Sequence, residues 1–302
     1  MKHALPVTLT LLILFIVSHL LGLAIISKYV DAEKSAETGE LSWKQLPSIG
    51  SMPMERPDLA PTQSIVYIVS AIIIGTLLIL LIIRLNTVLL WKLWFFLAVT
   101  VCLHIALSAF IAPLYSIIIS VAAAGFKTFR PTLIIHNLTE LFLYGGLAAI
   151  FVPILSVKTA FILLILLSFY DAYAVWKSKH MITMAKFQTK SGIFAGLLLP
   201  SKGIPMPAKK SGKNVKVVMK PVKTAVLGGG DIGFPLLLSG TVLAHHTLTA
   251  ALLVSAGASA SLLCLLLLSQ KNKFYPAIPF LTAGCALGYF VAYLLSIHFT
   301  VL

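Results

Sequence analysis

Long apolar runs separated by short polar stretches dominate the chain, and several reach the roughly 20 residues that a helix needs to cross a bilayer core. The runs lack the period-two alternation of membrane barrel strands, so the pattern predicts helices. A first helix runs from about residue 4 to about Ser27. It is read as retained, because the run is too long for a typical signal-peptide core and no clear small-residue cleavage site follows. A second covers about 64–83. Residues 89–126 are too many for one ordinary span and few for two. Pro113 divides them into helices of about 89–111 and 113–127, since an internal proline removes a backbone bond. Further helices are expected at about 131–155, 157–176, 224–244 and 247–269, with the last running from Pro276 to the C-terminus. The expectation is an all-α polytopic membrane protein of nine helices. It forms one membrane-embedded domain over 1–302, with six helices before the 178–223 loop and three after it.

Composition excludes a soluble globular protein: 59% of residues are hydrophobic, 11% are charged, and the mean hydropathy is +1.00. Cys102, Cys264 and Cys285 all sit in apolar runs without paired or metal-ligand spacing, and read as packing residues. Charge orients the helices. With nine spans, eighteen of the 23 Lys and Arg fall on the side of the N-terminus and the 178–223 loop, which together with Lys177 holds eleven lysines and no acid. The opposite side receives Asp31, Glu33, Glu37, Glu40, Glu55 and Asp58. Positive residues favour the cytoplasm, so the N-terminus and the basic loop are expected there and the C-terminus outside. The lysines also suit anionic lipid, and without interleaved aromatics they do not point to nucleic acid.

Three acids remain, all in apolar segments: Glu140, Asp171 and Asp231. An ionisable residue inside a membrane is costly and is a functional candidate by default. Asp171 lies near the cytoplasmic end of the sixth helix, and Asp231 is expected about seven residues into the seventh. At a rise of about 1.5 Å per residue both carboxyls lie roughly 10 Å deep, on consecutive antiparallel helices. Two carboxyls so placed can share a proton, one activating a water and the other polarising a carbonyl. Gly228, Gly229 and Gly230 would let a substrate backbone come close and loosen the helix there. The same pair would also suit an ion-coupled transporter with midmembrane carboxylates.

Tyr170-Asp171 on one helix, Gly228-x-Gly230-Asp231 on the next and Pro276-Ala277-Ile278 opening the last resemble the three signatures of the presenilin and signal peptide peptidase family of intramembrane aspartyl proteases. Singly these motifs are weak to moderate; the three in order are specific, and the likeness covers most of the chain. Ile278 stands where the family pattern has leucine. The resemblance implies catalytic roles for Asp171 and Asp231, a site-shaping role for Pro276, Ala277 and Ile278, and hydrolysis of peptide bonds within transmembrane helices. It calls for no metal or cofactor. Prepilin peptidases share the G-x-G-D pattern, but they carry a lysine soon after the aspartate and a cytoplasmic cysteine cluster that this chain lacks. The lysine bias favours a presenilin-like orientation in the membrane, and the chain looks like a compact microbial relative.

Other features read more plainly. His136, Asn137 and Glu140 could supply a further acid–base group, and more simply form interhelical hydrogen bonds. His245-His246 marks a turn, and no third metal ligand accompanies it. Gly284-x-x-x-Gly288 is a helix-packing motif that would also serve a contact between copies. Val215, Val217 and Met219 belong to a β-branched, partly alternating stretch before Asp231, without an evident partner in the chain. Two readings stand: it pairs with the unwound end of a substrate, as the resemblance implies because presenilins form a substrate-bound strand in the corresponding region, or it is a mobile linker that happens to be valine-rich.

Overall fold

A computed structural model describes residues 4–85, 87–178, 183–184, 187–188, 191–200, 224–270 and 275–300. The helices are α1 (Leu5–Tyr29), α2 (Ala32–Thr38), α3 (Pro61–Leu85), α4 (Val88–Ser108), α5 (Pro113–Phe129), α6 (Leu133–Phe151), α7 (Val157–Trp176), α8 (Gly229–His245), α9 (Leu248–Leu268) and α10 (Ile278–Thr300). A single 3-10 turn, Val152–Ile154, follows α6. Two strands, β1 (Gly196–Pro200) and β2 (Thr224–Gly228), complete the described elements. Among the described residues seven helices are long and apolar enough to cross a membrane, and α5 is a shorter apolar helix.

Local chemistry sets the boundaries. Pro113 opens α5 at a position where its missing N–H costs nothing. Thr132 caps α6 through the Ile135 amide, and Thr247 caps α9 through Ala250. Ser156 and Thr159 form a reciprocal capping box at the start of α7. His245 and His246 end α8 one residue before the Thr247 cap, so the expected turn is present.

One boundary is corrected. The helix expected from about residue 224 begins at Gly229, and Thr224–Gly228 is strand. Its partner is a short apolar stretch inside the 178–223 loop: β1 pairs antiparallel with β2, matching Gly196 with Gly228 and Pro200 with Thr224. An apolar run ending in glycines reads as continuous helix, because glycine's freedom hides the change of direction. The stretch containing Val215, Val217 and Met219 lies outside the described residues.

α8 is the central helix, packed against α1, α6, α7, α9 and α10 and buried almost throughout from Ile232 to Val242. A buried polar chain secures it. His19 Nδ1 lies 3.2 Å from Ser255 Oγ, which donates to Ser239 Oγ, which donates to the Pro235 carbonyl. α3 is the outlier, with only 11% of its apolar window buried, and its outward residues such as Leu77 and Leu81 suit lipid. At the face opposite the strands, the α1–α3 loop is stitched to the helices. Arg56 donates to the Ala149 and Lys44 carbonyls, Tyr29 donates to the Ile105 carbonyl, and His104 Nε2 lies 3.2 Å from the Ser48 carbonyl.

Gly284 and Gly288 face α9 within the same chain, so their packing is internal rather than between copies. A Cβ on Gly257 would stand 2.1 Å from the Gly284 carbonyl, and one on Gly288 2.3 Å from the Leu253 carbonyl. Because the obstacles are backbone atoms, the helices would have to separate. Gly257→Ala is expected to cost about 1–3 kcal/mol, read as a lower midpoint of thermal unfolding in detergent. An unchanged midpoint would show that the seam is looser than drawn.

Candidate active site

Asp171 is buried on α7, five residues before its end. The amide of Ile278, first residue of α10, donates to Asp171 Oδ2 at 3.2 Å, and the Ala277 amide also faces the carboxyl. The first amides of a helix have no partner within it and carry its positive end, so they hold an anion well. Pro279 contributes no N–H, leaving few donors in this turn, and one of them is committed to Asp171. Ala277 and Ile278 therefore meet Asp171 through backbone, to which Pro276 has no N–H to add, and isoleucine in place of leucine leaves the Ile278 contact intact. On the other side of Asp171, Tyr170 Oη lies 3.2 Å from Thr76 Oγ1 of α3.

Asp231 is the third residue of α8, not the seventh as the sequence suggested. Gly228 is the N-cap, extended at φ −65° and ψ 147°, and the Asp231 carboxyl turns back over its backbone. A Cβ on Gly228 would lie 3.2 Å from Asp231 Oδ2, so only a residue without one leaves this space open. Four residues on, Pro235 has no N–H to give the Asp231 carbonyl, which loosens the first turn. The Asp231 carboxyl stands within Coulombic reach of Asp171. The two acids are thus brought together where α7, the strand-to-helix junction and the start of α10 meet.

The sheet beside them is held on one edge by α6. Asn137 Nδ2 donates to the Leu198 carbonyl at 2.8 Å, and its Oδ1 accepts from the Leu198 amide at 3.0 Å. His136 Nε2 lies 2.7 Å from the Gly196 carbonyl. The outer edge of β1 is therefore occupied. Since Leu198 turns both backbone groups away from β2, its partner Val226 must turn its own away from β1. Among the described residues no third strand meets that edge of β2.

Glu140 is not poised for acid–base work. One carboxylate oxygen pairs with Lys127 and the other accepts from the Tyr144 hydroxyl. Lys127, one of the eighteen cations counted toward the cytoplasmic side, is fully buried, with Thr139 Oγ1 at 3.1 Å and the His136 carbonyl at 3.4 Å as further acceptors. Three acceptors match the three ammonium protons. The interhelical reading holds for Glu140, which pairs with Lys127 of α5, whereas His136 and Asn137 bond the strand β1 instead of a helix. Sequence reasoning missed Lys127 and Tyr144. The spacing His136, Glu140, Tyr144, one face of a helix at every fourth residue, was the available signal. Among the described residues no group of three His, Cys, Asp or Glu is gathered as for a metal.

Comparison with known proteins places this geometry. No curated protein matches the chain. Two solved structures of a presenilin family intramembrane aspartate protease, in space groups C222 and P2, share the fold with a TM-score of 0.61 at 18% identity. They cover 95% and 97% of this chain, and it covers 99% of each of theirs. The family model described as signal-peptide peptidase, presenilin aspartyl protease matches residues 41–297. A match over so much of the sequence makes this integral membrane protein a member of the signal-peptide peptidase and presenilin family of intramembrane aspartate proteases.

Proposed function

We propose that Asp171 and Asp231 are the catalytic dyad of this protease, and that it cuts peptide bonds within the transmembrane helices of its substrates as a G-x-G-D enzyme. The observation that carries this is the meeting of two carboxyls from separate helices, one held by the Ile278 amide and the other seated on Gly228. One carboxyl takes a proton from water while its partner, protonated, donates to the scissile carbonyl; collapse of the tetrahedral centre returns the proton to the leaving amine. Two such close acids titrate as a pair, so the pH–rate profile should be bell-shaped, with both limbs belonging to the dyad. Incubating purified protein with a transmembrane peptide, with and without an aspartyl-protease inhibitor, tests the reading. Absence of inhibitor-sensitive cleavage would refute it.

The substrate must unwind before attack, because a helical carbonyl is already engaged. The open edge of β2 supports strand addition there: Val226 turns its N–H and C=O outward five residues before Asp231, and an extended segment can pair with such an edge. Val226 lies closer to Asp231 along the sequence than the Val215–Met219 stretch does. We take all nine long helices as spans of one domain, with the N-terminus and the 178–223 loop cytoplasmic. Labelling with a membrane-impermeant thiol reagent, in a background without native cysteines, should find Glu37→Cys reactive from outside and Ser211→Cys only from inside. The opposite result would invert the orientation.

A further inference from the structure

Beyond the dyad, the one fully buried ion pair among the described residues is Lys127 with Glu140, and it does not stand alone. Glu140 is tied to Tyr144 one turn along α6, and Tyr144 reaches the junction that carries Asp231. A Cβ added to Gly229 would come within 2.8 Å of the Tyr144 hydroxyl, and one added to Gly233 within 3.6 Å of its ring. The ring thus packs against the first turn of α8, on both sides of Asp231 in sequence. Asp231 itself lies within Coulombic reach of Tyr144. The same α6 face holds β1 through His136 and Asn137, so one helix fixes both strands' neighbourhood and the turn that follows.

We propose that Glu140 is a positioning residue for proteolysis: paired with Lys127, it fixes the Tyr144 hydroxyl under Gly229, and Tyr144 in turn sets where the first turn of α8 presents Asp231. Both oxygens of Glu140 are occupied, so it exchanges no proton with substrate. Its contribution is geometric, and it should appear in the chemical step, because an acid displaced by a fraction of an ångström binds substrate as before but meets the transition state poorly. The inference rests on the reading of Asp231 as catalytic.

The test compares two double variants that both lack the buried charges. Lys127→Met with Glu140→Gln keeps an acceptor for the Tyr144 hydroxyl; Lys127→Met with Glu140→Leu removes it. Against a transmembrane peptide, the leucine variant should show kcat lower by about tenfold than the glutamine variant, with KM within about twofold. Affinity for a transition-state-analogue inhibitor should fall by the same factor. Tyr144→Phe, which removes a single oxygen, should lose kcat in the same way, and it decides the question if the doubles do not fold. Equal kcat in the two doubles, or a loss confined to KM or to the folded fraction, would overturn the proposal. Asp231→Asn is assayed alongside. Activity in that variant would strike the dyad reading itself, whereas an inactive Asp231→Asn with an unaltered Tyr144→Phe would strike the positioning role alone.

Discussion

Asp171→Asn and Asp231→Asn are each expected to lower the rate of peptide-bond hydrolysis by at least about a thousandfold, within the range that general acid–base groups supply. Asparagine keeps the shape of aspartate and its carbonyl oxygen. At position 171 it can still accept from the Ile278 amide, and at position 231 its carbonyl oxygen can still turn back to the Gly228 backbone. The fold should therefore survive, and a loss of rate reports chemistry rather than collapse. Neither variant should keep partial activity, because a lone carboxyl cannot activate the water and protonate the carbonyl at the same time. Mass spectrometry of a cleaved transmembrane peptide measures the loss, and unfolding midpoints check the fold. Turnover near wild type in either variant would remove that residue from the dyad.

The largest effect on stability is expected at the buried ion pair. Lys127→Met leaves the Glu140 carboxylate without its counter-charge, in a place where both side chains are only 1% exposed. Removing one partner of such a pair costs about 3–5 kcal/mol, since the remaining charge stays desolvated and uncompensated. Replacing both partners with apolar residues of similar volume is often close to neutral. Lys127→Met alone should thus unfold in detergent well below wild type, and adding Glu140→Leu should recover most of the difference. Unfolding followed by circular dichroism measures both. A single variant as stable as wild type would mean that solvent reaches Glu140 after all.

These expectations show which parts of the molecule sequence reveals. Helices such as α1, α4, α7 and α9 were legible because their length and polarity answer to the bilayer, a solvent whose demands hardly vary with tertiary context. Asp171 and Asp231 were legible because few other acids interrupt apolar segments and each carries a flanking motif. The strand-to-helix change at Gly228 was not, because β2 and α8 are both apolar and periodicity gives no sign of the join. β1 was hidden for a related reason: its partner lies beyond a long polar stretch, and five apolar residues alone do not reveal what they pair with. Lys127 was misjudged because its location fits the positive-inside pattern, whereas its partner sits on the next helix, thirteen residues away. Cross-helix pairing is a property of packing rather than of any local window.

The stitched loop opposite the strands has a consequence for the cell. A protease that works inside a membrane must wet its catalytic carboxyls without becoming a leak. The C-terminal end of α7 bears Asp171, while Arg56, Tyr29 and His104 tie the far side of the bundle beside an apolar cluster of Ile25, Leu46, Ile105 and Ala149. Water that entered beside Asp171 would meet this apolar layer before the opposite face, so the packing opposes a continuous wet path and with it a leak of protons.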